Sequence, residues 1–192
     1  MPVALRPAMT HTPSPSAAGP QPQGSHYADQ RAARQALDMA LPAIETALRD
    51  PAVCGSGTLA IVVMDPALGP LDSDFDAAVL LEHVAGQAER ERWDADYLAF
   101  ARGKARVSWS SRHDSAALQA LQPQRLRRGD SLLWGSVCLD GIVVGVSGAQ
   151  PWWDEAFATT IAAHLRAIAK ARHAEDRDAG RWNAGLQNPA RG

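Results

Sequence analysis

The chain has 192 residues, 46% of them hydrophobic and 21% charged, with a formal net charge of -2. That length and apolar content suit one domain around one core. The charge balance provides no basic field for nucleic acid or anionic lipid, and no apolar run is long enough to cross a bilayer.

Positive charge is carried almost wholly by arginine, as in chains from GC-rich genomes; the only lysines are Lys104 and Lys170. The two cysteines, Cys54 and Cys138, form no C-x-x-C pair, which argues against a zinc ribbon or dithiol motif. Isolated thiols fit a reducing cytosol, although a single disulfide between them is left open. The opening "MPVALRPAM" is broken by Arg6 and Pro7 and has no signal-peptide core, so a cytoplasmic protein is expected.

Residues 1–25 are rich in Pro, Ser, Gln and Gly and read as a disordered tail. Residues 26–173 carry the periodic segments of a single domain, and 174–192 read as a second polar tail. The first helix follows Ser25, its expected N-cap, with Leu37, Leu41, Ile44 and Leu48 at helical spacing. Pro42 lies within it and predicts a kink or a break. The apolar run 59–64, closed by Asp65-Pro66, is a buried strand, and an acidic loop leads to a second strand over 77–86, with a helix over 77–90 as the alternative because Ala and Leu favour helix.

Residues 91–111 read as a helix with Leu98, Ala101, Ala105 and Trp109 on one face. Gly103 inside it is tolerated where another segment packs close. A short helix follows over 114–122. The segments 131–139 and 142–148 then flank Asp140-Gly141, the preferred pair for a type I′ hairpin turn. Pro151 opens the last helix, with Asp154 and Glu155 in its first turn, where acidic groups suit the helix dipole. Phe157, Ile161, Leu165 and Ile168 form its apolar stripe. The order implies an α+β domain, an antiparallel sheet with helices packed on it. The glycines at 141, 145 and 148 belong to the hairpin, not to a phosphate loop.

Three segments, "AIVVMDPALG", "ARGKARVSWSS" and "GDSLLWGSVCLDGIVVGVSGAQPWWDEAF", carry a family pattern. The strand ends before a loop, a helix holds a Lys-Ala pair, a Gly-rich hairpin runs through "DG..VG" to "GVSG", and Asp-Glu opens the final helix. In these the chain resembles the GlcG/HbpS-like family of heme-binding or heme-degrading domain proteins, over about residues 28–172. The resemblance implies a profilin-like three-layer arrangement and homo-oligomers. It also implies a small ligand-binding module that takes haem or a related tetrapyrrole as carrier, buffer or sensor.

Haem iron needs an axial donor, and His83 and His113 are the first candidates, with His26 a weaker one; the alternative for each is an ordinary exposed or hydrogen-bonded histidine. Trp109, Trp134 and Trp153 are candidates to line a flat pocket, with core or interface packing as the alternative. Such a pocket is expected between the 109–113 segment and the helix start at 150–155. Of the adjacent pair Trp152-Trp153, one is expected to point inward and the other outward. Lys104 stands at the family's Lys-Ala position and Asp154 and Glu155 at its Asp-Glu. Lys104 reads either as a partner for a propionate or carboxylate or as an exposed helix charge, the commoner state of a helix lysine, and the acidic pair is accounted for by the helix start. No nucleophile elbow, zinc-protease or Walker motif is present, which argues against an enzyme with its own nucleophile. Two alternatives remain open: an enzyme or accessory acting on a small organic acid, with Lys104, Asp154 and Glu155 in its site, and a structural oligomer without a ligand.

Overall fold

A computed structural model describes residues 23–86 and 93–186. The order is α1 (Gln30–Ala47), β1 (Thr58–Met64), β2 (Val79–Gly86), α2 (Tyr97–Ser111), α3 (Ser115–Leu121), a 3-10 turn over Pro123–Arg125, β3 (Ser136–Leu139), β4 (Ile142–Ser147) and α4 (Pro151–Asp178). The four strands form one antiparallel sheet in the order β2-β1-β4-β3. This is the expected α+β architecture.

The sheet separates two apolar layers, as the two-residue period of a strand requires. Leu59, Ile61, Val63, Val144 and Val146 face α1 and α4. Ala60, Val62, Met64 and Val143 face α2, through Ala101, Ala105 and Trp109. β1 is buried along its whole length because both faces are covered. Its uninterrupted apolar run is the signature of such a strand.

α1 starts one turn later than expected. Its cap is Asp29, whose carboxylate accepts the Ala32 N–H at 2.8 Å, while Ser25 Oγ accepts from Ala28. The helix runs unbroken through Pro42, which is exposed. The missing N–H falls on the solvent side, where water can satisfy the carbonyl one turn back. Its buried face is built largely from Ala32, Ala33, Ala36 and Ala40 around Leu37 and Ile44, so α1 lies close on α4 and the sheet.

α2 begins at Tyr97 behind the Asp96 cap. Gly103 faces Ser131, whose Cβ lies 3.4 Å from where a side chain would begin, which is the close approach expected there. The Asp140-Gly141 turn has positive φ at both residues, 51° and 87°. β3 begins only at Ser136; residues 131–135 run as an irregular segment that ends in Gly135 at φ +130°. α4 runs to Asp178, past the residue-173 boundary read from composition. Among the described residues no helix is long and apolar enough to cross a membrane.

Candidate functional site

Lys104, near the middle of α2, and Asp154, one turn into α4, meet between the layers. Lys104 Nζ donates to Asp154 Oδ2 at 2.7 Å and to the Val146 carbonyl at 3.0 Å. Both side chains are almost wholly buried, 4% and 2% exposed. Asp154 Oδ1 accepts the Ala149 N–H at 3.0 Å, so one carboxylate ties α4 both to its own entry and to α2. The N-cap residue Gln150 makes no side-chain cap.

Burial acts on the two charges in opposite directions. It pushes the Asp154 carboxyl up to about 6 despite the attraction of Lys104 and the backbone N–H groups. It pushes the Lys104 amine down despite the attraction of Asp154. Both shifts favour the uncharged forms, the expected response to desolvation.

Gly135 leaves room for this pair. A Cβ there would lie 2.6 Å from Asp154 Cβ and 3.2 Å from Lys104 Nζ. Its loop is pinned by buried serines. Ser115 Oγ accepts the N–H groups of Gly135 and Ser136 at 3.1 and 3.0 Å. Ser136 Oγ donates to the Lys104 carbonyl at 2.7 Å and contacts Ser108 Oγ at 2.7 Å. None of these serines was singled out as a partner of Lys104 or Asp154 in the sequence, because their contacts join residues 20 and more positions apart.

The pair forms part of the wall of a cavity of about 310 Å³. The rest of the lining is Gly55, Ser56, Tyr97, Leu133, Trp134 and the backbone-rich stretch Ser147–Pro151. The Tyr97 hydroxyl donates to Asp94. Of the sequence-derived candidates, Lys104, Trp134 and Asp154 are brought together here. Gly55, Ser56 and Tyr97 were missed; a Gly-Ser loop and a tyrosine at a helix start carry no motif of their own.

The other candidates lie elsewhere. Trp109 is packed in the α2 layer, with its indole N–H donated to the Leu68 carbonyl at 2.7 Å and its ring edge-on to Phe75. The 109–113 segment contributes nothing to the cavity lining, which corrects the expected boundary of the pocket. Trp152 and Trp153 are both exposed, 58% and 40%. The expected inward–outward split fails because the buried stripe of α4 begins at Asp154 and continues through Phe157 and Ala158. Trp153 stacks at its border on Phe157. Glu155 is outside the lining. Burial and the nearby Asp114 push its carboxyl up, and its Oε2 is buried without a hydrogen-bond partner.

His83 pairs with Ile61 across β1 and β2 and so faces α1, whose Arg34 and Asp38 are its charged neighbours. Burial pushes its imidazole down. His113 follows α2, with Nδ1 2.7 Å from the Ser111 carbonyl and Arg125 Nη1 3.3 and 3.5 Å from its two ring nitrogens. A guanidinium beside the ring opposes a further cation. Neither histidine lines the cavity, and a haem with its propionates is larger than about 310 Å³. The described residues therefore do not fit a haem seated in this cavity with His83 or His113 on its iron. No group of three or more His, Cys, Asp or Glu among the described residues could hold a metal ion.

The geometry defines a three-layer α+β domain with a buried lysine–aspartate pair at the wall of a small cavity. Among solved structures it is similar to the Klebsiella pneumoniae protein ORFY, described as a DUF336 protein. The two share 18% identity at a TM-score of 0.42, over 71% of this chain and 89% of that one. DUF336 is also known as the GlcG-like family. No family model and no curated protein matches the chain.

Proposed function

We propose that the protein is a ligand-binding module whose site is the cavity at the start of α4. Its ligand is a small organic molecule with a carboxylate or carbonyl oxygen that Lys104 recognises. The observation that supports this reading is the buried Lys104–Asp154 pair opening on a cavity ringed by Tyr97, Leu133 and Trp134. A buried ion pair contributes little net stability compared with a well-packed apolar pair. Its position at a cavity wall, with both groups shifted towards neutrality, marks a candidate site. About 310 Å³ lies at the small end of ligand clefts, roughly 300–1,000 Å³.

The test is a titration with small mono- and dicarboxylates and 2-oxo acids, read by thermal shift and tryptophan fluorescence. Saturable binding is expected, and it should disappear in the K104M/D154L double variant. Quenching should be lost in Trp134→Phe while the thermal shift remains. No saturation with any member of the panel would reject the reading. A parallel hemin titration separates the alternative implied by the resemblance. A one-to-one Soret shift abolished by His83→Ala or His113→Ala would move the function to haem and away from this cavity.

A further inference from the structure

We propose that Lys104 captures small aldehydes or ketones as a Schiff base inside this cavity, with Asp154 moving the protons. The inference rests on the reading of the cavity as a ligand site and adds a covalent step to it.

A nucleophilic lysine needs three things: an uncharged amine, an adjacent acid–base group and a path for the carbonyl. Lys104 Nζ has two partners, the Val146 carbonyl at 3.0 Å and Asp154 Oδ2 at 2.7 Å. An ammonium has three donor positions, so one is left for a molecule in the cavity. The side chain lies in a site that disfavours both charges, so burial narrows the gap that a proton crosses in moving over 2.7 Å from nitrogen to carboxylate. The missing side chain at Gly135 keeps a Cβ from standing 3.2 Å from the nitrogen. Tyr97, Leu133 and Trp134 offer an apolar and aromatic wall to the rest of the carbonyl compound.

The step balances within the pair. Asp154 takes the ammonium proton, and the Nζ lone pair forms the C–N bond as the carbonyl π pair moves to oxygen. Asp154 returns its proton to that oxygen, giving a carbinolamine, and then takes one from nitrogen. The nitrogen lone pair expels the hydroxyl, which leaves as water with the proton from Asp154, and a C=N bond remains. No oxidant or reductant is consumed.

The sequence makes the test clean, because the only other lysine is Lys170, which is exposed on α4. The full wild-type chain is incubated at pH 7 with benzaldehyde or pyruvate and cyanoborohydride, which reduces the imine to a stable amine. Peptide mapping then follows Lys104, Lys170 and the N-terminal amine over time. The expected result is alkylation of Lys104 about tenfold or more faster than Lys170 with at least one probe. Equal or slower modification of Lys104 with both probes overturns the inference. Thermal shift on the same samples separates the two readings. Saturable stabilisation without a Lys104 adduct leaves the cavity as a non-covalent site, and absence of both rejects both. In Asp154→Asn, checked for folding by circular dichroism, the Lys104 rate should fall about tenfold or more while the Lys170 rate holds. An unchanged Lys104 rate in that folded variant overturns the role given to Asp154.

Discussion

At Lys104 a single side chain joins α2, β4 and α4, and its removal is not a simple loss of one contact. Lys104→Ala leaves Asp154 buried and unpaired, an arrangement that costs about 3–5 kcal/mol. Replacing both partners, as in K104M/D154L, removes the two desolvation penalties together, and urea unfolding is expected to place it within about 1 kcal/mol of wild type. The pair also sets a pH dependence. The folded Asp154 value of about 6 lies above the ordinary carboxylate value of 3.8, so the folded chain holds a proton that the unfolded chain has released. Its contribution to stability is complete below the ordinary value and is lost as pH rises through about 6. Urea unfolding at pH 4.5 and 6.5 should show this loss in wild type and its absence in K104M/D154L.

Elements meet closely because small residues line their contacts. A Cβ at Gly145 of β4 would lie 2.6 Å from the Ala101 carbonyl and 2.8 Å from Ala105 Cβ of α2. Gly145→Ala must push α2 off the sheet, at a cost of about 1–3 kcal/mol or more, read as a lowered Tm. The displacement would carry Lys104 with it, so ligand binding should weaken in the same variant. At the start of α1, Asp29→Ala removes the bond to the Ala32 N–H and the 2.9 Å contact with Arg172 of α4. The expected loss is about 1 kcal/mol, with most of it from the cap, since the ion pair is partly exposed. Alanine-rich packing was the part of α1 least visible in the sequence. Leu41 and Leu48, chosen for their size and spacing, are only partly buried, while Ala33, Ala36 and Ala40 form the face.

Over the whole molecule the cavity is assembled from four segments: the loop before β1, α2, the irregular stretch before β3, and the β4–α4 junction. Large apolar side chains stand exposed beside it, Leu132 and Leu133 on the irregular stretch and Trp152 and Trp153 on α4. Covering such side chains in self-association is favourable. Sedimentation is expected to show a wild-type oligomer that dissociates in a Leu132→Glu/Trp152→Glu variant; a wild-type monomer at all concentrations would leave these residues as the plain rim of the cavity.

The sequence by itself determined the elements and their class. Period-two and period-3.6 patterns, the Asp140-Gly141 turn and Pro151 are local signals, set by backbone sterics that do not need the rest of the chain. It also marked Trp134 as a pocket candidate, and grouped Lys104 with Asp154 only under the alternative of an enzyme or accessory acting on a small organic acid. Only the tertiary structure decided that Lys104 and Asp154 are 2.7 Å apart, that Trp109 belongs to the core, and that Tyr97 and Ser56 share the cavity. It likewise placed His83 and His113 outside that lining. The reason is physical: a buried charge pair and a cavity arise where layers meet, and the strand order that brings residues 50 positions apart together leaves no trace in the spacing of either.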